Sequence, residues 1–307
     1  MPEFRAVTRG PRARAIAPPM LPTPSRVAAE VLRVLPRKRI SRAIGRVADV
    51  RAPASLLSGA IDLYARALDV DLSEAEVPSG GFPSFDAFFT RSLKPGARPI
   101  DADSSVLVSP ADGRLEDAGP IERGATLRVK GRLYDVAELL GDTDDAREFD
   151  GGTFAVVYLS PRDYHRVHSP VTGPIEVVRY VGGTLFPVND IGVRHVDRLF
   201  ARNERVAVLH RSLRHGPVAT ILVGAVGVGR ITISFEPEIV TNRDRMPRTL
   251  RYGDRGPHLE RGDELGMFHL GSTVIVFVGP RVPLTLTRRP GDAIRVGEAL
   301  ARATGVA

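Results

Sequence analysis

The chain has 307 residues, 43% of them hydrophobic, with 30 Gly, 25 Pro, no Trp and no Cys. That composition describes a globular protein with a large core and excludes an intrinsically disordered chain, a disulfide framework, a thiolate metal site and a cysteine nucleophile. The net charge of +7 is unevenly placed: residues 1–51 carry twelve Arg/Lys against Glu3, Glu30 and Asp49, a net of +9, which leaves −2 for the rest. A nucleic-acid-binding surface would spread its basic residues over the folded body, so that class is excluded too.

Residues 1–24 read as a disordered basic leader. "MPEFRAVTRGPRARAIAPPM" lacks the apolar core of a secretory signal, and its four prolines disrupt the amphipathic helix of a transit peptide. From Ser25 the pattern turns helical, with Val27, Ala28, Val31, Leu32 and Leu35 at helical spacing before Pro36. A second helix sets Ile40, Ala43, Ile44, Val47 and Ala48 on one face and Arg39, Arg42 and Arg46 on another. That pattern suits an anionic membrane surface and an ordinary solvated helix equally well. "ASLLSGAIDLYARALDV" (54–70) predicts a third helix and "SFDAFFTRSL" (84–93) a fourth, packed through Phe85, Phe88 and Phe89. No run approaches the roughly 20 apolar residues that span a bilayer.

After "KPGARPI" (94–100) the period changes to strands. "GTFAVVYLS", "GPIEVVRYV", "ERVAVLHRS", "VATILVGAVGVGRITISF", "STVIVFVG" and "RVPLTLT" are strand candidates between Gly, Pro, Asn and Asp turns. Two pairs of stretches echo one another: Ser109-Pro110-Ala111-Asp112-Gly113 with Ser169-Pro170-Val171-Thr172-Gly173, and "RGDELG" (261–266) with "PGDAIRVGEALA" (290–301). The expected class is α+β. A helical region, 25–95, precedes a β-rich domain, 96–307, that is mainly an antiparallel sandwich or partly closed barrel of two related halves.

Three places can carry chemistry. "YLSPRDYHRVHSPVTGPI" (158–175) holds His165 and His168 in a proline-braced loop, a setting that suits acid–base work and equally two loop histidines without a role. A metal reading of this H-x-x-H lacks a third ligand. Asp112 sits in a turn whose echo has Thr172 instead. "ELGMFHLGSTVIVFVG" (264–279) reads as two strand runs interrupted by Gly271-Ser272-Thr273, either a bend or a close backbone approach. Asp112, His165, His168 and Ser272 are compatible with a Ser-His-Asp hydrolase, although Ser272 lacks the G-x-S-x-G elbow; a non-catalytic barrel-sandwich module is the other alternative. "GAVGVGRI" (224–231) is no dinucleotide loop, because a strand pattern runs through it without a following helix.

"FPSFDAFFTRSLKPGARPI", "VSPADGRL", "YLSPRDYHRVHSPVTGPI", "LFPVN", "LFARNERVAVL", "ILVGAVGVG" and "ELGMFHLGSTVIVF" follow one another in an order and spacing that resemble the bacterial phosphatidylserine decarboxylase proenzymes. The resemblance implies decarboxylation of phosphatidylserine to phosphatidylethanolamine and CO2 through a Schiff base with a pyruvoyl group made from Ser272, without pyridoxal phosphate or a metal. It implies cleavage between Gly271 and Ser272 into a large chain, 1–271, and a small chain, 272–307, which remain a heterodimer that can itself dimerise. His168 is then the base on Ser272, oriented by Asp112; His165 serves the later step, and Tyr158 contacts the head group. It further implies peripheral attachment to the cytoplasmic side of an anionic cell membrane through the basic helices, and no nucleic-acid partner.

Overall fold

In the computed structural model, the structure describes residues 36–304 apart from 189, 228–229 and 244–245. The helix expected from Ser25 to Leu35 lies outside the described residues. Pro36, with its fixed φ, opens helix α1 (Arg37–Ala48), and α2 (Ala54–Leu68) follows. The short α3 (Phe85–Phe89) is capped by the Ser84 side chain, which accepts from Ala87 N. It is shorter than its pattern predicts, because the Thr90 hydroxyl turns back onto the Asp86 carbonyl at 2.8 Å.

The chain then becomes β-rich. β1 (Val106–Val108) and β2 (Gly113–Pro120) flank the first Ser-Pro turn, and the hairpin β3 (Thr126–Val129) and β4 (Arg132–Asp135) leads to α4 (Val136–Leu140) and α5 (Thr143–Arg147). β5 (Thr153–Leu159), β6 (Arg166–His168) and β7 (Gly173–Val181) carry the second turn. Helices α6 (Asp190–His195) and α7 (Leu199–Arg202) precede β8 (Arg205–Ser212) and β9 (Gly216–Val223). Next come β10 (Ile231–Ile233), β11 (Glu236–Val240), β12 (Arg248–Arg251) and β13 (His258–Leu259). β14 (Glu264–Phe268), β15 (Ser272–Val278), β16 (Leu284–Leu286), β17 (Ala293–Ile294) and β18 (Ala299–Ala303) complete the described strands.

The main sheet runs β12-β7-β8-β9-β15-β5-β2-β17, with β13 also on β7; smaller sheets are β11-β10-β14-β6 and β1-β18-β16. Their pairings are antiparallel. β15 lies inside the main sheet, paired along its length with β5 and β9. Period-2 alternation splits its side chains: Ile275 and Phe277 enter one core, Val274, Val276 and Val278 the other. The second core is closed by Leu107, Val167, Ile231, Leu265, Phe268 and Leu300 from the smaller sheets. The expected sandwich-like layering is present, but no barrel closes: the main sheet ends at separate edges, β12 and β17. Twisted sheets stacked face to face leave such edges, whereas closure would require them to pair.

Helices α1 and α2 bury stripes of side chains and leave large apolar groups outside. In α1 the buried residues are Ser41, Gly45 and Ala48, while Ile44 and Val47 are exposed, Val47 by 73%. In α2, Leu57, Ile61 and Ala65 are buried, whereas Leu56 and Leu63 are exposed by 71% and 68%. Phe82, Phe88 and Phe89 pack with Leu57 and Ile61 beneath them, and Leu270 joins this cluster from the segment before β15.

Candidate active site around the Gly271–Ser272 bond

The two echoing turns share one hydrogen-bond frame. Ser109 Oγ donates to Ala111 O at 2.8 Å, and Ser169 Oγ to Val171 O at 2.6 Å. Ser109 N donates to Glu298 O and Ser169 N to Asp263 O, both at 2.8 Å; Gly297 N and Gly262 N return bonds to Ser109 O and Ser169 O. Those two glycines have φ of 84° and 95°, a left-handed conformation that favours Gly, and a Cβ on either would strike Ile100. The turns also grip each other, through His168 N to Pro110 O (2.8 Å) and Val108 N to Pro170 O (3.2 Å). Even the differing residue keeps a common duty: Asp112 Oδ1 accepts from Val296 N at 2.8 Å, and Thr172 Oγ1 accepts from Arg261 N at 3.1 Å. The repeated fragments in the sequence are therefore two copies of one turn-and-loop device, and the cross-bond sets the Asp112 turn beside His168.

Between β14 and β15 the backbone is strained. Leu270 has φ of 98°, a region that L side chains seldom adopt and that costs about 1–3 kcal/mol. Gly271 follows with room to spare: a Cβ there would meet Leu159 O at 3.6 Å and His165 Nε2 at 3.7 Å, ordinary contact distances. Packing alone thus does not demand glycine at 271. Ser272 is fully buried, and its hydroxyl donates to Val223 O and to neither imidazole.

The two histidines differ. His165 Nδ1 lies 2.8 Å from Asp163 O; a carbonyl only accepts, so Nδ1 carries the proton and Nε2 is a lone pair. That Nε2 is buried without a hydrogen-bond partner among the described residues and lies beside Gly271. Burial, opposed by the Asp163 carbonyl and assisted by the charge of Arg91, pushes the His165 pKa down to about 3, so the ring is neutral. Phe89 covers it at a ring-centroid distance of 4.1 Å. His168 is fixed by the same logic, Nδ1–H to Gly262 O at 2.8 Å, but its Nε2 receives the Tyr164 hydroxyl at 3.1 Å. Burial lowers its pKa, while the Gly262 carbonyl and the charges of Glu264 and Asp112 pull the other way.

Asp112 reaches His168 through that field and not by direct hydrogen bonding. Its carboxylate is gripped by Arg98, whose Nε lies 2.9 and 3.0 Å from the two oxygens. Arg98 also binds Glu74 Oε2 at 2.8 Å, and these carboxylates raise its pKa against the cost of burial. Arg98 was not among the expected site residues; it sits in "KPGARPI" (94–100), where the period changes to strands. The sequence reading also missed Tyr164 as the cap on His168 and His269 with its partner Asp86; an aromatic-His run and a histidine two residues before the Gly-Ser pair were the available signals.

Two apolar cavities meet here. One of about 300 Å3 reaches Gly271 and Leu270, with Phe89, Pro187 and Val188 in its wall. The other, about 750 Å3, lies between α1 and α2 and is lined by Ile44, Val47, Val50, Leu57 and Tyr64. They share Ile44, Tyr64 and Leu270. On the other side a polar cavity of about 630 Å3 exposes Arg91, Arg98, Asp112, Asp163 and Tyr164, and Tyr158 lines both this cavity and the one at Gly271. Among the described residues no group of side chains is arranged to hold a metal ion, and no helix is long and apolar enough to cross a membrane.

An antiparallel β core with a strained Leu-Gly-Ser junction, two neutral imidazoles and an apolar approach defines a site for buried hydroxyl and proton-transfer chemistry. The chain belongs to the phosphatidylserine decarboxylase family, whose model, described as Phosphatidylserine decarboxylase, matches residues 85–302. It is 46% identical over 270 residues to the phosphatidylserine decarboxylase proenzyme of Bordetella avium, covering 87% of this chain and 91% of that protein. The proenzyme of Xanthomonas euvesicatoria pv. vesicatoria is 45% identical over 272 residues, covering 88% and 96%, and that of Bordetella pertussis 45% over 275 residues, covering 87% and 91%.

Proposed function

We propose that this chain is a proenzyme that cuts itself between Gly271 and Ser272 and then decarboxylates phosphatidylserine to phosphatidylethanolamine and CO2. The observation that carries this reading is the strained Leu270-Gly271-Ser272 junction, set between a lone-pair imidazole and a lipid-sized apolar groove. The residues present also fit a pyruvoyl group at position 272. The hydroxyl that would generate it is buried, and two flanking polar atoms, His165 Nε2 and Thr273 Oγ1, have no hydrogen-bond partner among the described residues.

In the cutting step Ser272 Oγ attacks the Gly271 carbonyl carbon, its proton passing to His168. For this His168 exchanges its bond to Tyr164 for one to Ser272, and the Asp112 charge supports the imidazolium that forms. The C–N bond breaks, leaving an ester and a free amine on residue 272. β-Elimination expels the Gly271 carboxylate as the Ser272 Cα proton leaves to an imidazole, and water releases ammonia from the resulting enamine. The carbonyl so generated supplies the electron sink that loss of CO2 from an amino-acid head group needs. We assign His165 to proton transfer at the head group because its Nε2 lies beside Gly271, the residue preceding position 272, and Tyr158 to head-group contact because it walls that cavity. The pieces 1–271 and 272–307 stay together, since β15 keeps both neighbours in the sheet.

The outward apolar residues of α1 and α2, with Arg39, Arg46 and Arg51 exposed beside them, support this end as the membrane face. Basic residues near an anionic surface contribute about 1 kcal/mol each. An apolar groove leading to Gly271 favours this reading over a Ser-His-Asp hydrolase, which would leave the chain intact. The test is reductive trapping: borohydride with phosphatidylserine should couple the substrate amine to the 272–307 piece, and Ser272→Ala should give one inactive, unlabelled chain. Turnover of phosphatidylserine by the uncut Ser272→Ala chain contradicts the reading.

A further inference from the structure

His269, two residues before the scissile bond, is held on three sides. Its backbone N donates to Arg230 O at 3.0 Å, its Nε2 lies 3.1 Å from Thr232 Oγ1, and its Nδ1 is 2.8 and 3.0 Å from the two carboxylate oxygens of Asp86. Burial would raise the pKa of Asp86, but the hydrogen bond and charge of His269, joined by Arg230, hold it below the usual carboxylate range, so Nδ1 is the donor. Asp86 sits in the first turn of α3 and also accepts from Arg230 Nη2 at 3.1 Å. Arg230 reaches on to Asp49, at 2.8 and 3.1 Å, and Asp49 is the residue that ends α1. The side chains of His269, Asp86 and Arg230 are 9%, 13% and 17% exposed, and that of Asp49 is 42% exposed. A polar strap thus runs from the end of α1 to the residue preceding the strained Leu270.

We propose that Asp86 and His269 are positioning residues for self-cleavage, and that Arg230 ties them to Asp49 so that the seating of α1 is transmitted to the scissile junction. The inference rests on the self-cleavage reading above. Its physical basis is local. Leu270 holds an unfavourable φ, and the bonds that over-determine a strained residue must come from its neighbours. On one side Leu270 packs with the cluster formed by α2 and α3; on the other the backbone is pinned through His269. Helix α1 is itself seated by Arg37 Nε to Thr184 Oγ1 (3.1 Å), Lys38 to Glu204 (3.6 Å) and Gly227 N to Ser41 Oγ (3.1 Å). The strap therefore joins a firmly docked element to the segment that must present the Gly271 carbonyl. None of its members touches the reacting atoms, and none lies among His165, His168 and Asp112.

The test follows newly synthesised full-length chain, scoring conversion to two pieces over time by denaturing electrophoresis and mass. Asp86→Ala and His269→Leu should cut about tenfold more slowly or worse, because each leaves a buried partner unsatisfied. His269→Asn, which restores an N–H close to Nδ1, should recover most of the rate; a side chain acting only by its bulk would be served as well by leucine. Asp49→Ala, at the more exposed end, should slow cutting about two- to threefold. Thermal midpoints measured in the Ser272→Ala background separate slow cutting from poor folding. If Asp86→Ala fails to fold, the Leu and Asn variants of His269 decide. Wild-type rates for His269→Leu, or equal slowing by His269→Asn, overturn the positioning role, and a wild-type rate for Asp49→Ala overturns the link to α1. A wild-type chain that never cuts overturns the self-cleavage reading and this proposal together; variants that cut like a cutting wild type overturn the proposal alone.

Discussion

The Ser109–Gly113 and Ser169–Gly173 turns fold alike and differ in chemistry. Both use a serine hydroxyl to close the turn, both grip a left-handed glycine on a facing loop, and both end in a glycine where a Cβ would collide with backbone, Tyr158 O at 2.2 Å for Gly113 and Arg211 O at 2.5 Å for Gly173. One turn carries a buried carboxylate paired with Arg98, whereas the other carries a threonine that binds Glu260 at the surface. Just before the turns, Val108 occupies the place that His168 holds in the sister copy. The shared frame accounts for the backbone of both turns, while Asp112 and His168 are additions, one to each copy. The cross-bond from His168 N to Pro110 O brings them to the same place.

The largest expected effect comes from erasing the difference. Asp112→Thr makes the two turns alike and should leave a single uncut chain, with self-cleavage slowed by about 100-fold or more. Thr172→Asp should leave cutting unchanged, and processing by Asp112→Thr at the normal rate would break the comparison. The histidines sharpen it: His168→Ala should stay uncut, whereas His165→Ala should be cut and yet form little phosphatidylethanolamine. The reverse pattern on a gel and in a product assay would exchange their roles.

A milder effect is expected at His210, which pairs with Ile175 beside the threonine turn. It is buried with neither ring nitrogen bonded among the described residues, and burial pushes its pKa down to about 3 from 6.5. Between those values the unfolded chain binds more protons, so stability should fall as pH drops from 6.5 toward 3, by at most about 1.4 kcal/mol per pH unit for this group. His165 behaves in the same sense. His210→Leu should therefore flatten the acid side of the stability profile while cutting and activity persist. An unchanged slope in denaturant titrations at several pH values would show that His210 contributes nothing. The smallest effect belongs to Thr172→Val, which loses two exposed hydrogen bonds and should cost about 0.5–1.5 kcal/mol with normal processing, as read from its melting midpoint.

Much of this frame was legible in the sequence because alternation and turn residues report burial directly. The runs at 153–159, 173–181, 205–212 and 272–278 form strands where their β-branched residues predict them. The run 218–235 breaks after Val223: Gly224 N still bonds Glu204 O in register with β8, and β9 ends there. β2, "GRLEDAGP", escaped because most of its side chains are only partly buried and its pattern is polar. The apolar face of α1 was visible, with a membrane-lying helix as one of its two readings, but not that Ser41, Gly45 and Ala48 would form the buried stripe and leave Ile44 and Val47 outside. Asp112, His165, His168 and Ser272 were legible as chemistry-bearing types in unusual turns. Arg98 and Asp86 were not, because a side chain whose partner lies far away in sequence leaves no periodic trace.

The mass of the purified protein under denaturing conditions tests the central claim most directly. Two species are expected, residues 1–271 and residues 272–307, the smaller beginning with a pyruvoyl group, lacking a free amine and reacting with carbonyl reagents. A single species of 307 residues, or a small piece that begins with an ordinary serine amine, contradicts that claim.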